Sequence, residues 1–207
     1  MMNVLAIGAH PDDIEYGCGG TLLKLSAQEK ANIYFFIATH GELGGGADVR
    51  IKEQEKAAEF LGVKEIFWGG FMDTKLIVGK ELIGKIEEAM DKTKADVIFV
   101  NYPDDEHQDH RFLAESTIVA ARYARKVIFY EDYTCKKYEP HLFVDIGDVL
   151  DEKVKLLKMH KSQVERDYPT SLDMVESVKA VANFRGFQAK VKYAEGFSAL
   201  RYLLDTL

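Results

Sequence analysis

A layered α/β fold with a mostly parallel sheet follows from three observations on the sequence. Short apolar, β-branched runs alternate with amphipathic stretches of helical spacing along the chain. Residues with chemical potential cluster just beyond those runs, where ligands bind in an open parallel sheet. A hydrophobic content of 47% over 207 residues is that of a chain with a sizeable core, not of a disordered one.

Val4-Leu5-Ala6-Ile7 predicts the first strand, and residues 15–30, with Leu22, Leu23 and Leu25, the first helix. Ile33-Tyr34-Phe35-Phe36-Ile37 is the second strand, followed by the glycine-rich loop His40 to Gly46. A helix over 48–61 ends at Gly62, a residue suited to the left-handed C′ position. Glu65-Ile66-Phe67-Trp68 is the third strand and 79–93 an amphipathic helix. Val97-Ile98-Phe99-Val100 is the fourth strand, with a helix from His110 to Arg125, and Val127-Ile128-Phe129-Tyr130 is the fifth. Leu142-Phe143-Val144-Asp145 is a sixth strand at an edge. Helices follow at 148–159 and 171–184, and Tyr193–Leu207 packs back on the core. The sum is a Rossmann-like three-layer α/β sandwich, read as one domain over 1–207 without linker, repeat or low-complexity tract.

Acidic residues outnumber basic ones, 34 to 27, giving a formal charge of −7. With no basic stripe, nucleic acid is excluded as the expected partner. No apolar run reaches the ~20 residues needed to span a bilayer, and Met1-Met2-Asn3 leads directly into a strand without a signal-peptide pattern. Cys18 and Cys135 form no paired framework and read as reduced thiols, so the expected location is the cytoplasm.

Two motifs carry the chemistry. The first, Ala9-His10-Pro11-Asp12-Asp13-Ile14-Glu15, lies at the junction of a strand and a helix. Pro11 suits a first helical turn, and the helix dipole favours Asp12 and Asp13 beside it. His10 and Asp13, three apart, can reach one metal, while Asp12 points elsewhere. No G-x-G-x-x-G follows the first strand, so a dinucleotide fingerprint is excluded. The second motif, His107-Gln108-Asp109-His110, follows the fourth strand. One imidazole completes a His-Asp-His zinc set with open positions for water and substrate. The other, held by Asp109, is kept protonated or oriented for proton transfer or oxyanion stabilisation. Three of the chain's six histidines fall in these motifs, which a merely solvated acidic loop does not explain. Asp104, Asp105 and Glu106 are expected to form such a loop.

His40 and Glu42 follow the second strand and are expected to line the pocket, with Gly44 to Gly46 as a lid or a turn. Trp68 and Phe71 suit a sugar face or the core, and His160 either an approach to the site or a packing role. Glu195 and Phe197 are expected to be structural.

The strand followed by A-H-P-D-D-x-E and the later H-x-D-H resemble the PIG-L/LmbE-like zinc-dependent N-deacetylases. The Arg50-x-x-Glu53 helix with Ala57 and Leu61-Gly62, the segment His160-Lys161-Ser162-Gln163, and Tyr193-Ala194-Glu195-Gly196-Phe197 extend the resemblance over most of the chain. Gln108 departs from it, standing where the family often has proline. The resemblance implies His10, Asp13 and His110 as zinc ligands, with another divalent metal as the alternative. It also implies Asp12 as general base, His107 at the oxyanion and Asp109 as the acid that orients it. Arg50 would contact the sugar or its substituent, and Asp73 matches a position near the substrate.

The implied activity is hydrolysis of the acetamide of an N-acetylglucosamine-type amino sugar or glycoconjugate, by a homo-oligomer, a trimer or hexamer. The residues at the metal serve an amidase of another acylated amine equally well. A metal-binding regulatory protein without turnover would not need the base and the oxyanion donor.

Overall fold

A computed structural model describes residues 1–204. Seven strands form one sheet, and their order along it explains how motifs almost a hundred residues apart become neighbours. Five are parallel: β1 (Met2–Gly8), β2 (Ala31–Thr39), β3 (Glu65–Phe71), β4 (Val97–Asn101) and β5 (Lys126–Tyr130). With β6 (Leu142–Asp145) and β7 (Ala194–Tyr202), the order is β3-β2-β1-β4-β5-β7-β6. The chain first winds outward from β1 to β3 and then restarts at β4 on the other side of β1. The β1–β4 seam is therefore the switch point, where an open sheet forms its ligand crevice.

The period-2 alternation of the strands separates two cores. Val4, Ala6, Phe35 and Phe99 face helices α1 (Asp13–Ala27), α2 (Ala47–Leu61) and α5 (Leu150–Leu157). Leu5, Ile7, Phe36 and Val100 face α3 (Lys80–Thr93) and α4 (Gln108–Ala120). Burial on both faces is why these strands read as continuous apolar runs. A third cluster joins Tyr16 and Leu157 to Met174 and Val178 of α7 (Met174–Ala189). The short α6 (Lys161–Val164) and a 3-10 turn at Pro169–Ser171, both unforeseen, connect α5 to α7. No helix among the described residues is long and apolar enough to cross a membrane.

Several expectations are corrected. The helix placed from His110 begins at Gln108, because the His107 ring accepts the Asp109 N–H and caps it. Pro11 lies before α1, not in its first turn, and Asp12 is the N-cap residue without making a side-chain cap bond. The last segment does more than pack on the core: β7 inserts antiparallel between β5 and β6, leaving β6 at the edge as expected. Its strand character was masked by Glu195 and Gly196. Residues 205–207 of that segment lie outside the described residues. Gly62 does take the left-handed C-cap, at φ 83°.

Glu195 explains how β7 is tied down. Its carboxylate accepts the Gly20 and Thr21 amides of α1 at 2.8 and 2.7 Å and meets the buried Lys153 ammonium. Lys153 also donates to the Tyr16 carbonyl, so the pair bridges α1, α5 and β7. A buried charge with fewer partners would be destabilising.

Candidate active site

The loops that leave β1, β2, β3, β4 and β5 meet at one edge of the sheet. A cavity of about 260 Å³ opens there, lined by His10, Asp12, Asp13, Arg50, Asp73, His107 and His110 among others. The loops after β4 and β5 are stitched together by an isolated antiparallel bridge, Asp105 to Cys135. The Glu106 N–H donates to the Thr134 carbonyl at 3.0 Å beside it. This bridge fixes the approach of α4 to the β1–β4 seam.

Asp13 is the centre of the arrangement. Its Oδ2 accepts the Ala9 and His10 amides at 2.9 and 3.0 Å and Asn101 Nδ2 at 3.2 Å. Imidazole nitrogens face the same oxygen, His10 Nδ1 at 3.7 Å and His110 Nε2 at 3.4 Å. Burial works against the Asp13 charge, yet the two imidazoles hold its carboxyl well below the usual range. The opposite nitrogen of each ring is held by carboxylates. His10 Nε2 meets Asp73 at 3.1 Å and Asp109 at 3.3 Å, and His110 Nδ1 meets Asp105 at 3.2 Å. Burial lowers the pKa of both rings, but the surrounding acids outweigh it, pushing His110 up to about 10 and His10 well above its ordinary value.

This donor set fits a divalent cation. Two imidazoles flank one carboxylate, and all three residues are less than a tenth exposed. Every hydrogen bond given to the Asp13 side chain among the described residues goes to Oδ2, so Oδ1 carries none. Acids behind both rings are the outer partners that orient metal-ligating histidines. The ligand atoms of His10, His107 and His110 lie within 4.8 Å of one another, as do those of Asp13, His110 and Asp132.

Asp12 sits beside this cluster with φ 99°, a strained backbone for a residue with a Cβ. Its Oδ1 accepts from Arg50 Nη2 at 3.2 Å. Burial raises its pKa to about 6, against the pull of the guanidinium. Arg50, expected at the sugar, is itself buried and largely committed: it also donates to the Gly41 and Pro11 carbonyls. It lines the cavity while bracing Asp12.

His107 is fixed through the backbone. Its Nδ1 accepts the Asp109 N–H at 3.2 Å, so in the neutral ring the proton is on Nε2. Burial and then the charges on His10 and His110 lower its pKa. The expected role of the Asp109 carboxylate changes accordingly. It faces His10 instead and accepts the Thr74 N–H at 2.7 Å.

The remaining expectations divide. Asp73 lines the cavity, accepting the Leu43 N–H at 3.1 Å while it holds His10. Glu42 and His40 are not in the cavity lining. Glu42 accepts the Asp73 N–H at 2.9 Å, and His40 packs edge-to-face on Trp68 with ring centroids 5.1 Å apart. Trp68 and Phe71 pack against the two cores. Gly44 borders the cavity, and Gln163 donates to its carbonyl. His160 is fully buried, 3.4 Å from Glu15, outside the lining. Cys18 is a free thiol in the core.

Sequence reasoning missed four groups. Asp105, taken for a solvated acid, is fully buried behind His110. Asn101 positions Asp13, and Tyr130 donates to Asn101 Oδ1 at 3.0 Å. Asp132 follows β5 beside Glu131, which turns away to pair with Arg185. Burial holds the Asp132 carboxyl well above its usual range. A polar residue ending an apolar strand, as in Val97-Ile98-Phe99-Val100-Asn101, was the available signal for Asn101.

Residues 5–121 match the family model described as PIG-L, GlcNAc-PI de-N-acetylase. The chain is 30% identical to a diacetylchitobiose deacetylase of Thermococcus kodakarensis, over 93% of this chain and 81% of the relative. It is 27% identical to a probable N-acetyl-alpha-D-glucosaminyl L-malate deacetylase 2 of Bacillus cereus, over 79% and 84%. The crystal structure of the conserved protein TT1542 from Thermus thermophilus superposes with a TM-score of 0.86 at 27% identity, covering 100% of this chain and 98% of that one.

Proposed function

The chain belongs to the PIG-L family, and from that membership we propose that it removes the acetyl group from an N-acetylglucosamine-type amino sugar or its conjugate. It is an N-deacetylase, acting on a linear amide. The observation that carries the reading is the pair of imidazoles turned on Asp13 with carboxylates behind both. A structural cluster does not need donors braced in this way.

His10, Asp13 and His110 would hold the metal, zinc in this reading. When bound, a divalent cation there polarises the acetyl carbonyl and lowers the pKa of a water to about 7. Asp12 accepts the proton of the attacking water, since its pKa of about 6 leaves the base ionised at neutral pH while still able to take a proton. Arg50 holds that carboxylate in place. The Nε2–H of His107 donates to the carbonyl oxygen as charge develops on it, typically a few kcal/mol per donor. A neutral imidazole suffices for this, in place of the protonated ring expected from sequence. Asp12 then returns its proton to the nitrogen as the C–N bond breaks, leaving acetate and a free amine. Asp73, at the cavity wall, is positioned to accept from a sugar hydroxyl.

The free thiols Cys18 and Cys135 support a reducing compartment, the cytoplasm, and the exposed Phe184 and Phe187 on α7 support a homo-oligomer. The test is free-amine release from N-acetylglucosaminyl compounds and acylated amino acids, with and without chelator. Chelator-sensitive release from the sugars is expected, and release from the amino acids alone overturns the sugar assignment. Asp12→Asn should retain its metal and lose at least about a hundredfold in kcat. Undiminished turnover would remove Asp12 from the base role.

A further inference from the structure

A second cavity, of about 300 Å³, adjoins the catalytic one and shares Tyr133 and Tyr168 with it. Leu172, Asp173, Met174 and Ser177 complete its lining. We propose that this cavity holds the group attached to the acetylated sugar, and that this group is uncharged and presents an apolar face, an aryl ring or a second pyranose. The proposal rests on the deacetylase reading above and extends it to the other half of the substrate.

Four observations support it. First, the cavities adjoin at the two tyrosines that line both, so a molecule whose acetamide lies at His107 and Asp12 can reach from one to the other. The catalytic cavity alone is small for a ligand site, whereas the two together fall within the usual ~300–1,000 Å³. Second, two polar groups of the second cavity, Asp173 Oδ1 and Ser177 Oγ, are already engaged. Asp173 accepts the Val175 and Glu176 amides at 2.7 and 2.9 Å, capping α7. Ser177 Oγ and the Tyr16 hydroxyl bond at 2.6 Å.

Third, most of the surface that remains is apolar and open to solvent. Leu172 is 64% exposed and Tyr133 54%, and the Tyr133 ring is held edge-on to Tyr16 with centroids 5.2 Å apart. Fixed aromatic faces of this kind bind C–H-rich or aromatic faces. Fourth, the single charged group in the lining is the Asp173 carboxylate, and no Lys, Arg or His is present. An anionic substituent would meet like charge there. Arg166, which lies on the catalytic side, is engaged over the Tyr168 ring at 5.6 Å.

The test compares free N-acetylglucosamine, its 4-nitrophenyl β-glycoside, its β-1,4-linked dimer and a glycoside carrying a carboxylate. Wild-type protein should show a KM roughly tenfold lower for the aryl glycoside and the dimer than for the free sugar, with no gain for the carboxylate. Leu172→Asp, at an exposed position outside the catalytic cavity, should erase that gain and leave the free sugar unchanged. Equal KM values in the wild type, or a gain that survives in Leu172→Asp, overturn the proposal, as does preference for the carboxylate.

Saturation-transfer NMR with 4-nitrophenyl β-glucoside, which lacks the acetamide, reads the cavity without turnover. Transfer to the aryl protons, lost in Leu172→Asp, supports the assignment even if no sugar is deacetylated, in which case the activity reading alone fails. Absence of transfer in the wild type overturns it.

Discussion

At the scale of single residues, the site is a set of opposed pulls on acids and bases. Burial raises the Asp12 carboxyl to about 6 and Arg50 restrains it. The base must be ionised to act, so activity is lost as pH falls through its pKa. Arg50→Met removes the lowering influence and should move the acid limb of the kcat/KM profile to higher pH. An unmoved limb would separate Arg50 from Asp12. Asp105 contacts His110 from behind, and Asp105→Asn should weaken divalent-metal binding about 10–100-fold, read by competition with a chromogenic chelator. Wild-type affinity would show that the contact does not orient the ligand.

His10, Asp12, Asp13 and His110 were legible because rare residue types sit at helix starts after strands. Asp105 was not, because burial cannot be read from one acid among several. The contact between the Asp109 carboxylate and His10 was not legible, because it spans 99 residues, while only the backbone N–H of Asp109 meets His107.

At the scale of elements, α1 lies unusually close to the sheet. A Cβ at Gly17 would come within 2.1 Å of the Tyr130 ring. Tyr130 in turn donates to Asn101, which donates to Asp13, so helix seating and the placement of Asp13 are mechanically one matter. Gly17→Ala should lower unfolding free energy by about 1–3 kcal/mol in urea titration and weaken metal binding with it. A variant as stable as wild type would show that the ring moves away freely. The five parallel strands and α2 were plain from apolar runs and a glycine stop. α6 was not, because four residues carry no periodicity, and β7 was not, because a charge and a glycine interrupt its pattern.

At the scale of the whole molecule, one buried ion pair joins distant parts. Lys153 and Glu195 link α5, α1 and β7, and Lys153→Met leaves the carboxylate without its counter-charge. A loss of about 3–5 kcal/mol is expected by denaturant titration. A neutral result would mean that the α1 amides alone satisfy Glu195. The strand order was not legible, since pairing depends on contacts between remote segments. The gathering of the polar residues at one sheet edge was legible, because it follows from parallel connection alone.

The place of β7 sets a timetable for the chain as it is made. Every residue assigned to chemistry has been synthesised by His110, yet the interior position beside β5 is filled by residues 194–202. Until those residues emerge, β5 has an open edge and the Gly20 and Thr21 amides have no carboxylate. A nascent chain halted before residue 194 thus carries every group of the candidate site on a sheet that still lacks the final pairing of two of its seven strands.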